Sequence, residues 1–260
     1  MAVFLRPGVD IGANSVKLCQ LNKNSRGLTL ERFGVMPLPP ETVVDGALMN
    51  SAKVVEALKE LVSTHKVRRK QVALAISGHS VIIKKIALPQ MSREELEASI
   101  QFEAEQFIPF DINDVYIDVQ ILGQSAGGPN QMDVVLVAAK KDFVNEYTSV
   151  IMEAGLDPVV CDVDAFAIEN AFLENYDRQT QGSIALVNIG ASKTNINILA
   201  GGASAFTRDL SLGGNTFTEE IQKQLGVSYD EAETLKLGGT LSETTQKALA
   251  GVADTLTSDI

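Results

Sequence analysis

The chain reads as an α/β protein of two domains built on one plan, the first interrupted by an inserted module, and three observations predict this. A glycine-containing hairpin pattern occurs twice, as Gly8-Val9-Asp10-Ile11-Gly12-Ala13-Asn14-Ser15-Val16-Lys17-Leu18 and as Val187-Asn188-Ile189-Gly190-Ala191-Ser192-Lys193-Thr194-Asn195-Ile196, each near the start of a three-strand run. Between the copies, residues 80–155 carry a strand-helix-strand-strand-helix pattern of a different character. With 260 residues, 45% hydrophobic and 21% charged, the chain is long and apolar enough for two cores.

In the first hairpin Val9 and Ile11 share one face, Asp10 points the other way, and Val16 and Leu18 resume the alternation after the turn. Residues 28–35 read as a third strand after a turn at 24–27, and Met36-Pro37-Leu38-Pro39-Pro40 reads as loop. Over 51–65 the residues Val54, Val55, Leu58, Leu61 and Val62 fall on one helical face, and Val72, Leu74 and Ile76 mark a buried strand over 71–77.

The inserted pattern begins with a strand over 81–88 that ends at Pro89. Ser92-Arg93-Glu94-Glu95 is a capping box opening a helix to about residue 108, and strands over 115–122 and 132–139 flank a turn-rich joint at 123–130. The next helix carries Phe143, Tyr147, Val150, Ile151 and Ala154 on one face and is closed by Gly155. Nothing in the insert predicts catalysis, because Glu94, Glu95, Glu97, Glu103 and Glu105 spread around a helix as a solvated acidic face.

A strand over 159–163 returns to the first domain, a helix over 164–176 leads across, and 176–182 is the linker. The second domain opens with strands over 183–188, 194–199 and 203–210. Gly213-Gly214 then runs into a helix with Phe217, Ile221 and Leu225 inward, and a short helix over 229–236 presents Glu233 and Lys236 on one face before Gly238-Gly239. Leu249, Val252, Leu256 and Ile260 form a last helical stripe without a cap or breaker, so the second domain is expected to be incomplete. The domains are therefore expected at 1–79 with 156–178, at 80–155 for the insert, and at 179–260.

A net charge of −11 excludes a nucleic-acid or anionic-membrane surface of the usual basic kind. No apolar run approaches a membrane span and no signal-peptide pattern opens the chain, so a cytoplasmic protein without direct membrane insertion is expected. Cys19 and Cys161 lie in strand-like segments and are expected as buried, reduced thiols. His65 and His79 assemble no metal cluster.

The chemistry lies in the paired hairpins. A turn of small residues lets backbone N–H groups converge on an anion; Asn14 and Ser15 add donors, Lys17 a positive charge, and Asp10 a carboxylate able to hold hydrated magnesium. Gly-Ala-Asn-Ser is equally the composition of an ordinary hairpin turn. The second copy is what favours phosphate binding. Gly213-Gly214 before a helix offers close backbone approach and free N–H groups, and it is also common punctuation.

With Asp10 to Lys17, Asn188 to Thr194, Gly213 to Glu220 and Glu233 to Lys236 in this order, the chain resembles the actin-like ATPase superfamily, with its RNase H-like two-domain fold. The insert narrows the resemblance to the FtsA-like branch. The phrases Phe102-Glu103-Ala104-Glu105-Gln106-Phe107-Ile108-Pro109-Phe110 and Asp162-Val163-Asp164-Ala165-Phe166-Ala167 are similar to the PilM family of type IV pilus assembly proteins.

The resemblance implies ATP and magnesium (Mg2+) in a cleft between the two domains, with Asp10 the metal-side carboxylate. Asp10, Gly12, Ala13, Asn14, Ser15 and Lys17 would match the first phosphate loop, and Asn188, Gly190, Ala191, Ser192 and Thr194 the second. Gly213, Gly214, Asn215, Thr216, Glu220, Lys223, Glu233 and Lys236 would lie on the adenosine side. The implied partners are the cytoplasmic N-terminal peptide of PilN, held between the first domain and its insert, and other proteins of the pilus platform, with self-association left open. That places the chain at the cytoplasmic face of the inner membrane, attached through a partner.

Asn188 stands where hydrolysing relatives carry aspartate, so hydrolysis is expected to be slow or absent. The alternatives are an FtsA- or actin-like filament-forming ATPase, and a small-molecule kinase of the same superfamily, which would need a catalytic carboxylate and a substrate pocket.

Overall fold

The computed structural model describes residues 3–25, 27–125, 127–176, 182–238 and 240–260. Its elements run β1 (Val3–Phe4), β2 (Gly8–Ile11), β3 (Ser15–Asn24), β4 (Gly27–Pro37), β5 (Val43–Val44), β6 (Ala47–Leu48), α1 (Ser51–Thr64), β7 (Gln71–Ile76) and β8 (Val81–Pro89). They continue through α2 (Arg93–Glu105), β9 (Val115–Gln124), β10 (Gln131–Lys140), α3 (Lys141–Glu153), β11 (Asp157–Val163) and α4 (Asp164–Asn175). The remainder is β12 (Ser183–Ile189), β13 (Thr194–Ala200), β14 (Ala203–Leu210), α5 (Gly214–Leu225), α6 (Tyr229–Gly238) and α7 (Glu243–Asp259). The expected linker falls mostly on residues 177–181, outside the described residues, as do one residue of the 24–27 turn, one of the 123–130 joint, and Gly239.

A six-stranded mixed sheet of order β1-β3-β2-β7-β11, with β4 on the other side of β3, forms the first unit. The β2–β3 hairpin buries Val9, Ile11, Val16 and Leu18 on one face, as the alternation requires. Against them pack Val54, Val55, Leu58 and Leu61 of α1, whose start is capped by Asn50 accepting from the Lys53 N–H. Strands β2, β7 and β11 run parallel, which places their carboxyl ends, and the loops that follow, on one edge of the sheet.

Two details differ from expectation here. Strand β4 continues through Met36 and Pro37, where a loop is expected; Pro37 faces Ser15 at the end of a strand that, among the described residues, pairs with β3 alone, so its missing N–H costs no ladder bond. Cys19 is half-buried and Cys161 exposed, because β11 is the last strand of the sheet; both are free thiols.

The insert has its own sheet, β8-β10-β9, all antiparallel, covered by α2. Its core joins Ile86, Leu88, Leu96, Ile100, Val134 and Leu136. The capping box at Ser92 and Glu95 forms both of its hydrogen bonds, and α2 stops at Glu105, where the Phe107 and Ile108 amides turn back to the Ala104 carbonyl. Helix α3 follows the insert in sequence but packs on the first core through Tyr147, Val150 and Ile151. Leu136 is fully buried on the central strand of the insert sheet. Leu136→Ala should therefore cost about 2–5 kcal/mol in the stability of this unit, read by urea denaturation followed by far-UV circular dichroism.

The third unit is the antiparallel sheet β12-β13-β14 with α5, α6 and α7. Helix α5 buries Ile221 and Thr218, whereas Leu225, expected inward, is 41% exposed in the last turn before the left-handed Gly226. Along α7 only Leu256 of the expected apolar stripe is buried, and Ile260 is exposed.

Candidate functional site

The two hairpin turns face each other across one cavity of about 480 Å³. Each turn closes with the same bond: the Gly12 N–H donates to the Ser15 carbonyl at 3.0 Å, and the Gly190 N–H to the Lys193 carbonyl at 2.8 Å. The sequence repeat is thus a geometric repeat. Asp10, Gly12, Ala13, Asn14, Ser15 and Lys17 line the cavity from the first domain, and Asn188, Gly190, Ala191 and Ser192 from the second. The first turn is anchored from outside by the Leu38 N–H, which donates to the Asn14 carbonyl at 2.9 Å.

Asp10 and Lys17 stand opposite each other in the hairpin register and pair at 2.7 Å, with about half of each side chain in solvent. A pair so exposed adds little stability and separates readily, so both charges remain available to a ligand. Among the described residues, no group of three or more His, Cys, Asp or Glu side chains is arranged to hold a metal ion. Asp10 alone can serve magnesium only as one ligand, or through water, with the other oxygens coming from phosphate and solvent. This is how the ion is ordinarily held beside a nucleotide.

The remaining predicted residues stand behind the second turn rather than in the cavity wall. Thr194 is fully buried and donates through Oγ1 to the Leu212 carbonyl. Helix α5 docks on the turn by its first amides, Gly214 N–H to Gly190 O at 2.9 Å and Asn215 N–H to Ala191 O at 2.7 Å. Helix N-terminal amides that would otherwise lack partners are used up here, which places the loop at the positive end of α5. Asn215 also accepts from the Tyr229 hydroxyl, and the Thr216 N–H turns back to Gly213. Lys236 pairs with Glu233 and bonds Thr218 and the Gly214 carbonyl, tying α6 to α5. The largely covered Glu220 and the exposed Lys223 form a loose pair at 3.7 Å along α5.

Local sequence reading misses Ser77, Tyr147, Asp164, Lys193 and Asn195, all of which line the cavity. Lys193 and Asn195 lie within the repeated motif; Ser77, Tyr147 and Asp164 arrive from distant elements. The carboxyl of Asp164, at the first turn of α4, is pushed above its ordinary range, first by burial and then by Asp10 and Asp209, against a hydrogen bond from Ser77 and the nearby Lys193. Burial also pulls the Lys193 ammonium below its ordinary value, opposed by Asp209, Asp164 and Asp45. The Tyr147 hydroxyl, raised by burial and then by Asp164, Glu146 and Asp10, stays protonated and donates to the Gly46 carbonyl at 2.7 Å. Tyr147→Phe leaves that buried acceptor without its donor and should cost about 1–3 kcal/mol in chemical denaturation.

A second cavity, of about 500 Å³, lies between β9 and β10 of the insert, β11 and α4 of the first domain, and the β13–β14 turn of the second. Val119, Leu122, Val137 and Phe166 make its apolar wall, Asp118, Asp162 and Glu169 its acidic edge, and among the described residues no Lys or Arg lines it. Burial raises the carboxyls of both Asp162 and Glu169.

Two domains that present paired hairpin turns to a shared cleft define the chain as a protein of the actin-like ATPase fold. The comparisons agree with that class. MreB5 of Spiroplasma citri bound to AMPPNP superposes with a TM-score of 0.51 at 14% identity, over 97% of this chain and 77% of that one. The cytoplasmic domain of EpsL, an inner membrane component of the type II secretion system of Vibrio cholerae, superposes at 0.50 with 14% identity, over 86% and 75%. Residues 8–260 match the family of the type IV pilus assembly protein PilM, and the chain belongs to that family. The structure of a PilM-PilN type IV pilus biogenesis complex is similar to it at 28% identity, with a TM-score of 0.86, covering 98% of this chain and 74% of that chain. No helix among the described residues is long and apolar enough to cross a membrane.

Proposed function

We propose that the chain is an ATP-binding scaffold of the type IV pilus inner-membrane assembly platform, working at its cytoplasmic face and holding the N-terminal cytoplasmic peptide of PilN. The observation that carries the nucleotide half is the pair of identically closed glycine turns facing one cavity. Turns of small residues that let a ligand approach the backbone, with the Lys17 ammonium beside the first, suit a polyphosphate, and Asp10 suits its magnesium through water. Similarity to an actin-like protein bound to AMPPNP supports the same reading at the level of the fold.

Calorimetric titration with ATP and magnesium tests it. A Cβ at Gly12 already meets Lys17 Nζ at 3.1 Å and Ser15 O at 3.3 Å, so the branched side chain of Gly12→Val fills the space the phosphates need. ATP affinity should fall at least tenfold with the fold retained. An unchanged affinity in that variant rejects the assignment.

The partner half rests on the groove between the insert and the first domain. Among the described residues it offers two strand edges without a pairing neighbour, β9 of the insert and β11 of the main sheet, beside an apolar wall to which β9, β10 and α4 all contribute. An extended segment can add to such an edge by backbone bonds and set an apolar side chain into the wall. The acidic edge adds a requirement for positive charge on the peptide, since a cation would relieve the raised Asp162 and Glu169 carboxyls. The similarity of this chain to one solved in a PilM-PilN complex supports PilN as the source of the peptide. Leu122→Asp, on the wall, should weaken a fluorescent PilN peptide at least tenfold in anisotropy titrations. Equal binding by that variant would move the peptide elsewhere.

A further inference from the structure

Lys193, in the second hairpin turn, reaches across the cleft into a socket on the first domain. Its Nζ donates to the Ser77 carbonyl at 3.2 Å, over a separation of 116 residues. The walls of the socket are glycines in left-handed conformation, Gly46 at φ 88° and Gly78 at φ 108°. A Cβ on either would stand 2.8 or 2.5 Å from that Nζ, so the space is open to the ammonium only because both side chains are absent. Beside it the Gly78 N–H donates to Asp209 Oδ2 at 2.8 Å, a second bond from one domain to the other. Asp209 is itself held from behind, its Oδ1 accepting from Asn195 Nδ2 at 2.8 Å, and Asn195 Oδ1 accepts from Asn188 at 3.3 Å. The carboxylates that face the ammonium come from separate segments: Asp45 and Asp164 in the first domain, Asp209 in the second.

We propose that Lys193 and Asp209 form an interdomain clasp on the Ser77–Gly78 turn, which holds the two domains closed over the cavity with no ligand in it. The charge arithmetic favours closure. Without Lys193 the two sides of the cleft would present Asp45, Asp164 and Asp209 to one another, and like charges at short range push domains apart. With it, one half-buried cation serves carboxylates of both domains, and its donor finds a backbone acceptor instead of water. A ligand then enters a cavity already assembled, and its binding energy is not consumed in closing the cleft. Measuring closure needs no nucleotide, so the clasp stands or falls apart from the nucleotide reading.

The test is a distance measurement between spin labels at Lys59→Cys on α1 and Lys247→Cys on α7, in the full chain with Cys19→Ser and Cys161→Ser. Ligand-free parent protein should give one narrow distribution, and Lys193→Met one that is broader and centred at longer distance. Asp209→Asn, which keeps the size of the side chain and removes the charge, should broaden it in the same direction. Circular dichroism confirms that each variant is folded. A broad distribution in the parent, or a narrow and unshifted one in both variants, overturns the proposal.

Discussion

Gly213→Ala is expected to destabilise the second domain by about 3 kcal/mol, through overpacking and two weakened hydrogen bonds. Backbone conformation is not the reason, since Gly213 is extended at φ −165° and open to any residue. Space is the reason. A Cβ there would stand 2.6 Å from both the Gly190 and the Ala191 carbonyl oxygens, and these are backbone atoms of the second hairpin turn that cannot rotate away. The same two oxygens accept the Gly214 and Asn215 amides, so relief requires α5 to lift from the turn and lengthen both bonds. The neighbouring glycine is the control. A Cβ at Gly214 meets nothing closer than 3.6 Å, in the first turn of a helix, so Gly214→Ala should melt within about 0.5 kcal/mol of the parent. Urea denaturation of the two variants side by side separates the effects. On the nucleotide reading Gly213→Ala should also weaken ATP at least tenfold, because the turn it displaces is the second phosphate loop. Equal stability of the two variants would show that α5 does not bear on the turn as described.

What the chain order reveals is uneven, and the reason is range. The hairpin of Val9, Ile11, Val16 and Leu18, the helix of Val54, Leu58 and Leu61, and the capping box at Ser92 are all specified by neighbours a few residues apart, and each is where the pattern puts it. An apolar face says only that a helix is buried, not on what. Helix α3 carries the expected stripe yet packs on the first core, after sixty residues of insert, because β10 delivers it there. Leu225 matches the helical period but stands exposed in the last turn of α5, whereas Thr218, outside the apolar pattern, is buried with its hydroxyl bonded to Glu233 and Lys236 on another helix. The cavity shows the same division. Its two turns repeat a motif and were legible from their residues. Tyr147 has no motif, and neither has Asp209, which stands beside the cavity and meets Gly78 over 131 residues. The identity of such a partner is set by the fold, and a local window holds no trace of it.

Hydrolysis of ATP is expected to be slow, below about one turnover per second, the lower end of the ordinary enzyme range. Transfer of a phosphoryl group to water needs magnesium across the leaving phosphates and an oriented nucleophile, with protein charge holding the ion. Asp10 supplies that charge on one turn and Asn188 stands at the equivalent place on the other, able to bond a metal-bound water but not to balance the ion. The hydrogen bonds around it explain what Asn188 does instead. Its Nδ2 donates to Asn195 Oδ1, which leaves the Asn195 amide nitrogen turned toward Asp209, and Asp209 in turn receives the Gly78 N–H across the cleft. An aspartate at 188 cannot donate, so Asn195 would have to turn its nitrogen to the new carboxylate and leave Asp209 with one donor fewer. Asn188→Asp should thus do two opposite things: raise steady-state phosphate release severalfold by restoring the second charge, and loosen the contact between the domains. Phosphate release measured with the label distances of the same variant reads both. Parent turnover of several per second would reject the scaffold reading. A variant with the parent's rate would show that charge at 188 is not what limits the reaction, and an unchanged distance would show that Asn195 keeps Asp209 in place without it.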